Sequence, residues 1–264
     1  YDAIQADGGI PNSVMVKMGN IYFMQDRALH IGTDNSNTYF FDDDGGALIW
    51  QGDVDESYLF DNRGYCKFYK SSFFSEITGK RWITVNDKES IFESCNFKRF
   101  RRIVDKNGIY RNYKNYGIRS HEFKGGSIIE NAIHEGETKG YRQYGYWPYS
   151  QDYVKNFQII NYQFGIFVDT LPAQGIISIE NVQLIDCDKD IRYRLYANET
   201  IFNAINSKID ISQEVDSYGT YEGAIATLNV QNRFQIYIEN GANASATLKD
   251  QNGNEIISGT LDSE

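Results

Sequence analysis

The sequence predicts an all-β fold, in which stacked parallel strands with rungs of about 22–25 residues are followed by a small antiparallel β module. Three observations predict it. The 264 residues include twenty Tyr and sixteen Phe against three Pro and three Met, with many Ile, Asn, Asp and Gly, a composition that suits strands joined by tight turns. Apolar and Asn positions recur at a step of about 25 residues between 128 and 193. Beyond residue 233, apolar and polar residues alternate around Asn240-Gly241 and Asn252-Gly253, two hairpin signals.

The repeat is read by superposing IIENAIHEGE (128–137), YVKNFQIINYQFGIFVD (153–169) and SIENVQLIDCDKDIRY (178–193). One step takes Ile129 to Val154 to Ile179, Asn131 to Asn156 to Asn181, and Ala132 to Phe157 to Val182. Ile159 falls on Leu184, Tyr162 on Cys187 and Ile166 on Ile191. Such columns are what rungs need when none can bury its inward side chains alone, and the Asn column suits a left-handed corner whose amides stack. A fourth copy, IFNAINS (201–207), is expected to place Asn203 in the Asn column after a shorter step of 22. Upstream, KFYKSSFFSEI (67–77) and IFESCNFKRFRRI (91–103) carry the same columns, with Phe68 and Phe92 24 apart. The 37 residues from Phe92 to Ile129 read as one longer rung.

The spacing of these columns, SIENVQLIDC above all, resembles right-handed parallel β-helix proteins of the pectate-lyase-like kind, over roughly residues 20 to 210. The opening IYFMQDRALHIGTDNSNTYFFDDDGGALIWQG looks like the entry rungs of such proteins, so 1–210 is expected to be one β-helical domain. The remainder, 211–264, is expected to be a β-rich cap or a partial β-sandwich. RFQIYIENGANASATLKDQNGNEIISGTLD is similar to the carboxypeptidase-regulatory-like or immunoglobulin-like sandwich, with Ser245-Ala246 where that family usually has Gly-Ala. That family would continue past Asp262-Ser-Glu with another strand, so the sandwich is expected to be incomplete here or completed by another chain.

The formal net charge of -10 argues against nucleic acid as a partner. The one basic run, Lys98-Arg-Phe-Arg-Arg102, alternates with Phe97, Phe100 and Ile103 as a solvated strand face would, with polyanion contact as the alternative. No segment approaches the ~18 apolar residues of a membrane span. Cys66, Cys95 and Cys187 lie far apart and read as small buried residues. Asn198-Glu-Thr and Asn243-Ala-Ser match the glycosylation sequon, a pattern of low specificity.

Two Tyr-rich stretches interrupt the repeat. KGYRQYGYWPYSQDY (139–153) is expected to be a loop leaving the stack, and NGIYRNYKNYGIRSH (107–121) a second one inside the long rung. Emerging on adjacent rungs, they would form one flank bearing Tyr110, Tyr113, Tyr116, Arg119, Tyr141, Tyr144, Tyr146, Trp147 and Tyr149. Aromatic faces beside Arg, Asn and Gln hold sugars by stacking and hydrogen bonding; packing against the stack or a neighbouring subunit is the alternative.

The resemblance implies two chemistries: lyases with a Lys or Arg base and carboxylate-bound Ca2+, and hydrolases with paired Asp or Glu. For either, His121 and Glu122 beside the long loop, with Asp152 at the rim of the aromatic stretch, are the acid and base candidates. The Asn-Thr-Asp, Gly-His-Gly and Arg-Ile-Lys motifs of the polygalacturonases are absent from the sequence. His134, aligned with Ile159 and Leu184 and beside Glu135 and Glu137, is read as a core histidine. No cofactor is expected to be required. Asp42, Asp43 and Asp44 offer oxygen ligands to Ca2+, against the alternative of a solvated turn, and Asp53, Asp55 and Glu56 form a similar cluster. The expectation is an extracellular, cell-surface or virion protein, structural or adhesive, that contacts glycan or further subunits. A polysaccharide lyase or hydrolase is the alternative.

Overall fold

The computed structural model describes residues 65–76, 82–85, 90–105, 108–123, 126–140, 143–148, 152–170, 176–195 and 199–209, with separate strands toward both ends. The described residues are strands and turns with no helix, so none is long and apolar enough to cross a membrane. The chain divides into two compact units, Tyr1–Asn232 and Arg233–Glu264.

In the first unit almost all pairing is parallel, and strands pair with strands from the next rung rather than with their chain neighbours. Ile91–Glu93 lies between Tyr65–Tyr69 and Ile109–Arg111, and Asn96–Lys98 between Ser72–Ser75 and Lys114–Tyr116. Both columns meet in Ile128–Glu135, and the sixteen-stranded sheet continues through Tyr153–Ile160, Ile176–Ile185, Glu199–Ile205 and Ile225–Gln231. A nine-stranded sheet includes Trp82–Val85, Arg102–Asp105, Ser120–Phe123, Tyr144–Pro148, Phe164–Thr170 and Lys189–Leu195. Parallel sheets of this length, visited in turn by each rung, are compatible with a β-helix.

One interior column runs Phe68, Phe92, Tyr110, Ile129, Val154, Ile179, Ala204, each paired with the next. Its aromatic part stacks face to face, Phe68 on Phe92 at 5.2 Å and Phe92 on Tyr110 at 4.8 Å. A second column, Phe73, Phe97, Asn115, His134, Ile159, Leu184, follows a sharp corner in each rung. The corner residues Lys70, Ser94, Asn112, Asn131, Asn156, Asn181 and Asn206 all have positive φ, between 48° and 57°, in steps of 24, 18, 19, 25, 25 and 25 residues. Asn tolerates this backbone best after Gly. Its side chain adds a ladder: Asn181 Nδ2 donates to Asn156 Oδ1 (2.5 Å), Asn156 to Asn131 (2.9 Å), Asn131 to Asn112 (3.1 Å) and Asn112 to Glu93 (2.6 Å).

The columns through 131, 156 and 181 agree with the sequence reading, and three other readings change. Asn203 pairs with Ser178, and Asn206 occupies the corner, so the step of 25 continues. The supposed 37-residue rung is two short rungs, because Phe92 pairs with Tyr110 and Tyr110 with Ile129. The stretch 107–121 is therefore no insertion: Ile109–Arg111 and Lys114–Tyr116 are strands of the stack. Nor is 139–153 a loop throughout, since Tyr144–Pro148 is a strand inside the nine-stranded sheet.

In the second unit, Ser245–Lys249 pairs antiparallel with Glu255–Thr260, and Gly253 between them takes φ 86°. Asn240-Gly241, Asn252, the sequon asparagines Asn198 and Asn243, the acidic residues Asp43, Asp44, Asp53, Asp55 and Glu56, and Tyr141 and Tyr149 lie outside the described residues. Asp42 closes the strand Thr38–Asp42.

Candidate functional site

The site is built on the nine-stranded sheet, where alternation sends neighbouring residues to opposite faces. In Ser120–Phe123, His121 and Phe123 face the interior while Ser120 and Glu122 face outward. The next strand interrupts the alternation. Ser120 pairs with Tyr144 and Glu122 with Trp147, so Gly145 and Tyr146 together oppose His121 in a β-bulge. A Cβ on Gly145 would collide with Ile159 and crowd the Gly165 carbonyl, so this inward turn of the backbone requires glycine. The bulge returns Trp147 to the outer face.

The outer face carries an aromatic cluster. Tyr144 stacks on Phe167 at 4.3 Å and on Phe164 at 5.7 Å, and Trp147 meets Phe167 edge-on at 4.8 Å. Guanidinium groups lie over these rings: Arg102 is 5.3 Å from Trp147, Arg192 4.6 Å from Phe164 and Arg194 5.0 Å from Phe167. Such contacts contribute about 0.5–2 kcal/mol each, more as water is excluded. Arg102 forms an ion pair with the fully buried Glu122, and Arg194 Nη1 donates to Asp169 Oδ2 at 3.4 Å. Between these groups lies a cleft of about 160 Å³, whose walls include Arg101, Arg102, Arg119, Arg194, Glu122 and Trp147. Four arginines and one glutamate are among its lining residues, with Arg102 held by Glu122 and Arg194 by Asp169.

The interior face holds a separate polar network. His134 Nδ1 donates to the Gly145 carbonyl at 2.5 Å, which leaves Nε2 to accept from Tyr113 Oη (2.5 Å) and Asn115 Nδ2 (2.8 Å). Asn115 Nδ2 also donates to His121 Nδ1 at 2.9 Å, and the two imidazoles stack at 5.3 Å. Burial holds both imidazoles neutral: the His134 pKa falls to about 3, and that of His121 lies well below the usual range, lowered further by His134.

Asp152 belongs to a third group. Its carboxylate accepts from Ser127 N (3.0 Å) and Tyr146 Oη (3.0 Å), while Ser127 Oγ donates to Asp105 at 2.7 Å. Burial, with the nearby Asp105 charge, pushes the Asp152 pKa up to about 8 against the pull of its two hydrogen bonds.

The structure therefore distributes the expected site residues among different surroundings. His121, Glu122 and Asp152 do not converge: one is interior, one lies in the outer cleft, and one is buried in the Asp105–Ser127 network. Tyr110, Tyr113 and Tyr146 are core residues, not a glycan-binding flank. Tyr116 lies half-buried on the outer side of another strand, its ring 5.5 Å from Lys98 Nζ. Arg119, Tyr144 and Trp147 do meet, with Glu122, at the cleft. The basic run splits similarly: Phe97, Phe100 and Ile103 are buried as expected, but Arg102 is engaged by Glu122 and Trp147 rather than solvated. Sequence reading missed Phe164, Phe167, Arg192 and Arg194. The signal available was Arg192-Tyr-Arg194, two cations flanking the inward Tyr193. Cys95 and Cys187 are free thiols, Cys95 in the core.

Neither the protein-family models nor the curated proteins contain a match to this chain.

Proposed function

We propose that the chain is a right-handed parallel β-helix of the pectate-lyase-like kind, acting outside the cell as a structural and adhesive protein of a surface, filament or virion appendage. It holds glycan on the outer face of the nine-stranded sheet. The observation that carries this reading is the half-buried Trp147, backed by the buried rings of Tyr144, Phe164 and Phe167, at the edge of a cleft with polar walls. Aromatic faces pack against the C–H surface of a sugar ring, and neighbouring hydrogen-bond donors take its oxygens. A strand scaffold holds such groups more rigidly than loops do, and the parallel register repeats the face along the stack.

A second reading, a polysaccharide lyase or hydrolase, is favoured by one observation: a fully buried carboxylate, Glu122, set among arginines in that cleft. One experiment separates the two. The purified chain is run through native gels containing a panel of polysaccharides, and the same polysaccharides are assayed for new reducing ends or unsaturated products. Adhesion predicts retardation that Trp147→Ala removes, with the glycan intact. Cleavage would establish the enzyme, and unaffected migration with no cleavage of any glycan would defeat both.

A further inference from the structure

We infer that the strand Ile225–Gln231 is an interface at which two copies of this chain pair edge to edge. The contact involves none of the cleft residues and is independent of the glycan reading. Among the described strands, Ile225–Gln231 pairs only with Glu199–Ile205. A strand bonded along one edge keeps a row of N–H and C=O groups on the other, a template for a further strand. The interior columns also run out here. Phe202, wholly buried, pairs with the half-buried Leu228, and Ala204, also wholly buried, pairs with Val230 at 48% exposure. Both continue inward columns, so their exposure marks a stack end that no described rung covers. In a stack each repeat is covered by the next, and an end repeat with an apolar surface needs a cover of its own.

The occupant that fits is a second copy, because the strand is complementary to itself. IATLNVQ contains no charged residue and no proline, the features with which natural edges turn other strands away. Leu228 is the middle of its seven residues. A two-fold axis through Leu228, along the sheet normal, sets the strand antiparallel to its copy. Ile225 then opposes Gln231, Ala226 opposes Val230 and Thr227 opposes Asn229, so the whole strand pairs and no like charges meet. Opposed residues lie an even number of positions apart, so the inward side of one copy continues into that of the other. Leu228 and Val230 of each copy thereby cover the core end of the other, in a contact that closes at two chains.

The test is light scattering of the whole chain over about a hundredfold range of concentration. The wild-type chain should reach about twice the 30.3 kDa of one copy and return toward it on dilution. Val230→Lys puts a charge into the joint at a position already exposed, and should hold the mass at one copy throughout. Ile176→Lys, at 44% exposure on the outer face of Ile176–Ile185, should leave the dimer intact. Cysteine placement reads the geometry. Leu228→Cys lies on the axis and should give a disulfide-linked dimer under mild oxidation faster than Ile225→Cys, whose two copies stand about 20 Å apart. Exposure alone would give the reverse order, since Ile225 is 60% exposed. The wild-type chain is the reference for the native thiols. A monomer at every concentration would overturn the inference, as would assembly beyond two copies. So would a dimer that survives Val230→Lys or is lost in Ile176→Lys, or faster cross-linking through Ile225→Cys. Melting temperatures establish that each variant is folded before its mass is read.

Discussion

His121 and Glu122 are chain neighbours on opposite sides of one strand. The imidazole of His121 stacks on Phe123 at 4.0 Å inside the core, whereas the Glu122 carboxylate pairs with Arg102 in the outer cleft. Their adjacency in sequence makes them look like a catalytic pair, but the period of two in a strand keeps them apart. His121→Ala is therefore expected to cost about 3 kcal/mol of stability by opening a core cavity and orphaning the Asn115 amide. It should leave glycan affinity per folded molecule unchanged. Urea denaturation alongside gel retardation checks both halves, and lost affinity in a folded His121→Ala chain would contradict this placement.

The two histidines lower stability in acid. Their folded pKa values lie below the ordinary 6.5, His134 at about 3, so the unfolded chain takes up protons first as pH falls. Stability from these groups is complete above about pH 6.5 and is lost as pH falls toward 3. A His134→Gln chain should show a shallower loss across that range, measured as denaturation midpoint against pH.

Asp152 works in the opposite direction. Its folded pKa of about 8 lies above the ordinary 3.8, so the folded chain retains a proton that the unfolded chain releases. Its contribution is greatest below about pH 4 and is lost as pH rises to 8. The histidines and the aspartate therefore pull stability in opposite directions as pH changes. Asp152→Asn should flatten the alkaline side and raise the midpoint at pH 8, with little change at pH 5. A lowered midpoint at pH 8 would show that the ionised carboxylate is the form the fold requires.

Asn156 sits at φ 55°, donating to Asn131 and accepting from Asn181. Asn156→Ala should cost about 2–3 kcal/mol, combining left-handed strain of about 1–2 with the loss of two exposed amide bonds. Asn156→Gly, free of the strain, should cost about 1 kcal/mol less than Ala. An equal cost for Ala and Gly in chemical denaturation would show that the ladder, not the backbone, dominates.

Gly145→Ala tests the bulge that carries Trp147 outward. The added methyl has no room beside Ile159 and the Gly165 carbonyl, so a loss of about 3 kcal/mol is expected. Because Tyr146 and Trp147 follow in the strand, the folded fraction should also bind glycan less well. Retained stability with intact binding would mean that the backbone relaxes without disturbing the face.

By itself the sequence determined the all-β class, the parallel columns at a step of 25 and the corner asparagines at 131, 156 and 181. Equal spacing is a one-dimensional property, and a stack that repeats its backbone must repeat its residue types. It determined less where the interior is polar. Tyr110, Tyr113, Asn115 and His134 fill core positions, the last three joined by hydrogen bonds, so two short rungs looked like an insertion. Tertiary structure alone decided the cleft. Arg102 and Arg194 are distant in the chain, and they meet Glu122 and Trp147 because parallel register stacks successive rungs on one face. Which residues turn outward there depends on a one-residue bulge at Gly145 and Tyr146. Its cause is the room left by Ile159 and Gly165, which belong to later rungs.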